Sequence, residues 1–400
     1  APALALTEDI LLEIFFVLQS NPVAPSVDKG KPGLPIAVIL SHVTRQWRGF
    51  VINSPLLWAK IQVTTSLRLD ALREIISRSG ECELDVSFLS PPFCRASTQN
   101  RHLRESLHHR DSASLLAPCV ARWRRLCIIA NPSSMQYIMD TVTNVLFSRL
   151  QILELKLTPN HSHAPIPHFG PLHFNPHIFA TLHLHRVVIY PAHPSHFSGL
   201  HSLQLSQTSY SIIDRLRMNP HNPFPAIPIP IDAPSMVHLS HLSISTPSAL
   251  LPALLSFTPT NLTTVALSSF HCTSTIEYTT LINLYRVLIN AGLEELVLAG
   301  IDGGAWDALL EFLGTGVGNG LTGVIHENRP KFPTLKRLTL QSLALVDQRF
   351  ATVFPNIERL TLVDVVPSLV LAHDKIDRLS WRELKILVRV PKIESPHGAI

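Results

Sequence analysis

The sequence predicts an α/β chain in which a small helical module at the N-terminus is followed by an irregular solenoid, with parallel strands on its concave face and helices or loops on its convex face. Three observations carry this expectation. Leu-x-x-Leu-x-Leu cores recur at Leu150/Leu153/Leu155, Leu200/Leu203/Leu205, Leu293/Leu296/Leu298 and Leu335/Leu338/Leu340. The 32 prolines outnumber the 16 glycines, which favours many short elements over long uninterrupted helices. Hydrophobic residues make up 46% of the 400 residues and charged residues only 16%, against roughly 25% charged in an average globular chain. Core material is therefore ample.

The elements follow in order. Between Thr7 and Leu18 the residues Ile10, Leu11, Ile14, Phe15 and Leu18 recur at helical spacing, with Thr7 as N-cap and Asn21-Pro22 as the stop. A proline-rich loop leads to a second apolar run, Ile36 to Val43, and a third helical piece is expected from Trp47 to Ile61. Leu69 to Ser79 reads as a further helix with Leu72, Ile75 and Ile76 inward, and Leu84 and Val86 then alternate as the first strand. The expected domains are a helical module over 1–65, a linker helix and first repeat strand over 66–120, and the irregular solenoid over 121–400.

Degenerate copies fill the gaps in the array at Trp123/Leu126/Ile128, Leu184/Val187/Ile189, Leu239/Leu242/Ile244, Leu262/Val265/Leu267, Ile357/Leu360/Leu362 and near Leu384/Leu387. Alternate leucines of each copy point into a stacked core that no single copy can close, and the intervening positions face outward. Helices Ile276 to Ile289 and Ala305 to Leu313 are expected between copies. The outward positions form a candidate partner-binding face: Ser202, Gln204, His241, Ser243, Thr264 and Ser268 in the central strands, then Glu295, Arg337, Thr339, Gln341, Arg359 and Thr361 toward the C-terminus. A hydroxyl-lined centre with arginines at one end suits a polar or acidic segment of a protein partner, or a solvated sheet face.

Several function classes are disfavoured. A formal net charge of +4 gives little case for nucleic acid, and only nine charged residues lie between Leu150 and Asn290. Five scattered cysteines (Cys82, Cys94, Cys119, Cys127, Cys272) suit a reducing compartment, so a cytoplasmic or nuclear location is expected. The apolar stretch Ile10 to Leu18 is broken by Glu13 and no basic run precedes it, so neither a membrane span nor a signal peptide is expected. As the chain begins at Ala1 and not at a methionine, a short native N-terminus is expected to precede it.

Gly318, Gly320 and Gly323 spell a dinucleotide-type glycine motif, but it follows a predicted helix, where a phosphate cradle would follow a strand. His161, His163, His168, His173 and His177 lie in a proline-rich stretch, with His183 and His185 on one strand face; no acidic or cysteine ligand is close in sequence, and no metal or cofactor is expected. Arg122, Arg124 and Arg125 surround Trp123, yet Trp123 falls on an inward position. With no hydrolase elbow or zinc-protease helix, no catalytic centre is expected.

Four stretches carry a resemblance. The run LTEDILLEIF at Leu6 to Phe15 resembles the opening motif of an F-box, with Thr7 where proline is usual and Asp9 where glutamate is. The run HVTRQWRGFVINSPLLWAKI at His42 to Ile61 is similar to the second signature, through Trp47, Arg48, Pro55, Leu57 and Trp58. LREIISRSGECELDVSF at Leu72 to Phe88 and CVARWRRLCI at Cys119 to Ile128 resemble the linker helix and first repeat strand of the same family, the fungal, mushroom-type F-box proteins with a leucine-rich-repeat-like region. The resemblance implies a substrate-receptor subunit of an SCF-type cullin-RING ubiquitin ligase, docked on a Skp-type adaptor, with a protein substrate on the repeats. Adaptor-facing or supporting positions are then Leu6, Ile10, Ile14, Phe15, Pro35, Ile39, Val43 and Trp58, which serve equally as core between the module and the repeats. The alternatives are a repeat scaffold without a ligase, its first sixty residues acting as a cap, and a cryptic enzyme built on a perturbed titratable cluster.

Overall fold

The computed structural model describes residues 7–20, 36–90, 99–143, 145–158, 167–191, 197–206, 238–245, 261–269, 288, 292–301, 332–341, 354, 356–363 and 386–390. The chain forms two compact units, Ala1–His196 and Phe197–Ile400, and is α/β with parallel sheet throughout.

The first unit opens with three short helices: α1 (Glu8–Ser20), α2 (Ile36–Ser41) and α3 (Arg45–Ile52). Thr7 receives the first helical bond of α1, from the Leu11 amide, as an N-cap carbonyl should. Thr44 caps α3 through its hydroxyl, which accepts from the Trp47 amide at 3.0 Å. The expected third helical piece, Trp47 to Ile61, is divided in the structure. Pro55 cannot continue α3; it starts a 3-10 turn, Pro55–Trp58, and Ile61 lies in strand β1 (Lys60–Val63). The sheet therefore begins before Leu84: β1 pairs in parallel with β2 (Leu84–Leu89), Ile61 beside Val86 and Val63 beside Phe88. Between them, α4 (Leu69–Arg78) buries Leu72 and Ile75, and Gly80, at φ +53°, turns the chain out of it where a side chain would be strained.

Two helices of this unit were not expected. They are α5 (Gln99–Leu116) and α6 (Pro132–Val142), the latter capped by Asn131, with proline at its first position. They flank β3 (Trp123–Ala130) in sequence, and further strands follow: β4 (Leu146–Phe147), β5 (Ile152–Leu157), β6 (His168–Phe174), β7 (Thr181–His185) and β8 (Val188–Pro191). The strands β1-β2-β3-β5-β7 form one parallel ladder, and β4-β6-β8 a second. The second ladder was also not expected. Its buried Phe147 and Phe174 stack on each other, and Phe174 stacks in turn on Phe179, just before β7, with centroids 4.3 Å apart.

The second unit is a single parallel ladder in sequence order: β9 (Ser202–Ser206), β10 (His241–Ser245), β11 (Thr264–Ser268), β12 (Glu295–Ala299), β13 (Arg337–Gln341), β14 (Arg359–Val363) and β15 (Ile386–Val390). The leucine frame aligns as the sequence spacing requires. Leu203, Leu242, Val265, Leu296, Leu338, Leu360 and Leu387 are cross-strand partners, and Leu200, Leu239, Leu262, Leu293, Leu335 and Ile357 are buried one step before them. Each buried leucine contributes about 1.5–3 kcal/mol that an isolated copy would forgo. The residue before each strand receives two amides from the next strand, as where Thr264 and Thr263 both donate to the Ser240 carbonyl at 3.0 Å.

One copy is framed differently from the expected Leu184/Val187/Ile189. Leu182 pairs with Leu153 and Leu184 with Leu155, so the true copy is Phe179/Leu182/Leu184. The strand ends at Arg186, whose φ of +57° turns the chain, and Ile189 belongs to β8 in the other ladder. Ser269 after β11 and Gly300 after β12 take the same left-handed conformation at the corresponding place, at φ +57° and +55°. Of the two helices expected between copies, only Leu288 is described, helical and buried. Among the described residues no helix is long and apolar enough to cross a membrane.

Candidate functional site

Two surfaces of the chain carry the residues singled out by the sequence. The first is the helical head. Phe15 on α1 is fully buried, its ring edge-on to Trp47 at 5.0 Å and tilted against Phe50 at 6.0 Å. Trp58 is buried beneath Arg78, whose guanidinium sits 4.7 Å from the ring centroid, and its indole N–H donates to the Val51 carbonyl at 2.8 Å. Both residues thus support the head from within. Ile10, Ile14, Ile39 and Val43 are exposed instead, Ile10 at 47% and Val43 at 53%. Leu6 and Pro35 lie outside the described residues.

Further exposed apolar residues, Val17, Leu18, Ile52 and Leu56, were not among the expected adaptor-facing positions. The signal for Val17 was available, since it stands three residues beyond Ile14 and seven beyond Ile10, on one helical stripe. Glu13 is the charged neighbour of this stripe on α1. The base of the head is tied to β1 by the Lys60 ammonium, which donates to the Gln19 carbonyl at 2.9 Å.

The second surface is the outward face of the second unit's ladder. The register brings Ser202, His241, Thr264, Glu295, Arg337 and Arg359 into one row, and Gln204, Ser243, Thr339 and Thr361 into the next, interrupted by Ala266 and Val297. Ser268 and Gln341 stand in a third row that also contains Ser206, Ser245 and Ala299. Ser245 continues the alternation of Ser243 and was legible by that rule. Arg337 reaches back across the ladder to Glu295 at 3.2 Å, whereas Arg359 forms no ion pair among the described residues.

The outward face of the first unit differs in chemistry. Arg124 grips the two Asp85 oxygens at 3.0 and 2.7 Å, and Arg125 meets Glu154 at 3.1 Å. Arg122 donates to Ser79 and to the Cys82 carbonyl. With Trp123 buried, all three arginines of the basic-aromatic cluster are engaged within the protein. His183 and His185 are half-buried on β7, and burial holds both imidazoles below the ordinary histidine value; Lys156 and Arg186 add to this at His185. Burial pushes the Cys127 thiol up to about 12, with Glu154 adding to the shift, so thiolate chemistry is suppressed there.

His161, His163 and the glycines at 318, 320 and 323 lie outside the described residues, and His177 is exposed in a turn. Among the described residues no group of three or more histidine, cysteine or acidic side chains is placed to hold a metal ion. Cys82, Cys119 and Cys127 are free thiols. No protein-family model and no curated protein matches the chain.

Proposed function

We propose that the chain is a non-catalytic substrate receptor of an SCF-type cullin-RING ubiquitin ligase. In this reading the helical head is an F-box docked on a Skp-type adaptor, and the ladder is an irregular leucine-rich-repeat solenoid that holds a protein substrate. The observation that carries it is the apolar stripe of Ile10, Ile14 and Val17 on α1, with Ile39 and Val43 of the α2 region, exposed above an aromatic core. Unpartnered isoleucines at helical spacing are what a helix-packing partner covers, and burying each contributes about 1.5–3 kcal/mol. The polar rows Ser202 to Arg359 and Gln204 to Thr361 then offer hydrogen bonds to the substrate. Neither nucleic acid, membrane, metal nor cofactor enters this reading, and its compartment is the cytoplasm or nucleus.

A second reading has its own support. The head is joined to the first strand of the ladder, through the Lys60–Gln19 bond and the pairing of β1 with β2, as an end cap of a repeat scaffold would be. A pull-down of the full chain with a purified Skp-type adaptor separates the two. The receptor reading expects wild type to bind, and Ile14→Asp and Val43→Asp to bind at least about tenfold more weakly with an unchanged circular-dichroism spectrum. Absence of binding by the wild-type chain would overturn it and leave the scaffold.

A further inference from the structure

Beneath α5 the first unit buries a polar cluster. Glu105, Ser106, His109 and Ser112 share the inner face of α5, one turn apart, and all are buried. They meet the carboxyl ends of the neighbouring parallel strands β2 and β3. Ser90, one residue beyond β2, donates its hydroxyl to Glu105. Asn131, one residue beyond β3, receives the Ser134 amide at 2.8 Å and faces Ser106 at 3.5 Å, while Ser106 and Ser134 hydroxyls are 3.1 Å apart. Thr158, one residue beyond β5, is joined to β3 by its own amide, which donates to the Ala130 carbonyl at 3.1 Å. His109 lies edge-on to Phe88 of β2, 6.0 Å away. Hydrogen bonds thus join α5 to the ends of β2 and β3 and to α6, and Thr158 stands at the end of the neighbouring strand β5.

Its hydrogen bonding is not closed. Both ring nitrogens of His109, the Asn131 side-chain nitrogen and the Thr158 hydroxyl are buried without a partner. Buried polar atoms without a protein partner are rare, and such atoms ordinarily pair with ordered water or a ligand. Glu105 has Ser90 as its hydrogen-bond partner and no cation beside it among the described residues. The uncommitted groups thus include donors (Asn131, Thr158), acceptors (Thr158 and one nitrogen of neutral His109) and one carboxyl group without a cation beside it among the described residues. The carboxyl ends of parallel strands are where open α/β sheets place small ligands.

We infer that Glu105, His109, Asn131 and Thr158 form a binding site for a small, positively charged, hydrogen-bonding molecule, of the class of a short primary amine bearing a hydroxyl. An ammonium supplies the charge that Glu105 lacks and donates to His109 or Thr158, and a ligand oxygen accepts from Asn131. An anion is disfavoured by the carboxylate, and a transition metal by the absence of a third acidic, histidine or cysteine ligand among the described residues.

Three probes of similar size separate the possibilities on the full-length chain: ethanolamine, a cation at neutral pH; ethylene glycol, neutral; and acetate, an anion. Ethanolamine is expected to raise the midpoint of thermal unfolding with dose and to saturate, while the other two do not. Glu105→Gln is expected to weaken the apparent affinity about tenfold or more. Thr158→Val, which keeps shape while removing an unpartnered hydroxyl, is expected to weaken it by less and to fold normally. Should Glu105→Gln fail to fold, Thr158→Val decides. A midpoint unmoved by ethanolamine, equal responses to ethylene glycol, or an undiminished response in the variants overturns the assignment, and ordered water is then what satisfies these groups.

Discussion

Helices α1 and α5 depart from the amphipathic pattern in opposite directions. A surface helix ordinarily turns an apolar stripe inward and polar residues outward. In α1 the apolar arc is wider than the core uses: Leu11 and Phe15 are buried, and Ile10, Ile14 and Val17 remain outside. In α5 the inward face is partly polar, with Glu105, Ser106, His109 and Ser112 buried beside Ala113 and Leu116. Surplus apolar surface outside a helix is what the proposed adaptor would cover, whereas polar surface inside costs stability wherever its hydrogen bonds are incomplete. The stability of the head should thus rest on a few α1 residues and be indifferent to the others, and α5 should be the acid-sensitive element.

The largest expected effect sharpens the first half of that contrast. Phe15→Ala removes a fully buried ring from between Trp47 and Phe50, and should cost about 3–5 kcal/mol in urea-induced unfolding. Ile14→Ala, one position away, should cost no more than about 0.5 kcal/mol. Comparable losses for the two variants would show that Ile14 is core, and the outer face of α1 would no longer support the proposed docking.

Next in size is the acid response of α5. Burial holds the His109 imidazole down at about 4, with His108 adding to the shift, against an ordinary value of 6.5. The unfolded chain thus takes up this proton before the folded chain does. Stability is complete above the ordinary value, declines as pH falls toward about 4, and loses roughly 3 kcal/mol over the window. Glu105, one turn back on the same face, and His108 are the titratable neighbours. Replacing the ring by an apolar one in His109→Phe should abolish this component, read as the difference between wild-type and variant stability across the pH range. Parallel acid limbs would show that His109 is hydrated in the folded protein.

How far these features were legible depends on which face carries the signal. The inward positions of β9 to β14 repeat Leu-x-x-Leu-x-Leu with strand alternation, so their register followed from spacing alone. The copy at β7 was misframed because Leu184, Val187 and Ile189 satisfy the same pattern. What ends the strand there is the left-handed turn at Arg186, a conformation that arginine does not announce. Helix α5 left no apolar period to find, since four of the six residues described as buried on it are glutamate, serine and histidine. For the head, apolar spacing located α1 but could not separate inner from outer residues, because Ile10 and Phe15 are equally apolar and only Trp47 and Phe50 decide between them.

The turn that hid the β7 frame gives a smaller prediction. Ser269 and Gly300 occupy the same place after successive strands, with nearly the same positive φ. A Cβ added at Gly300 would meet only the Ser269 nitrogen, at 3.9 Å, so Gly300→Ala carries backbone strain without a clash and should cost about 1 kcal/mol. Ser269→Gly relieves the same strain while loosening the unfolded chain, so it should change stability by less, about 0.5 kcal/mol or under. Equal and opposite effects would mean that unfolded-chain entropy contributes nothing at this turn.

The smallest effect concerns the outward face itself. Arg337 and Glu295 bridge β13 and β12 at 3.2 Å, with side chains 49% and 31% exposed. Solvent screening leaves such a pair no more than about 0.5 kcal/mol, and added salt should erode even that. Arg337→Ala should therefore unfold at nearly the wild-type temperature, with a difference that shrinks as sodium chloride is raised. The contrast with Phe15 is then complete: a residue whose removal leaves the ladder intact while changing the charge of its polar row is free to serve recognition. A salt-independent loss of several kcal/mol at Arg337 would instead make the outward row part of what holds the strands together.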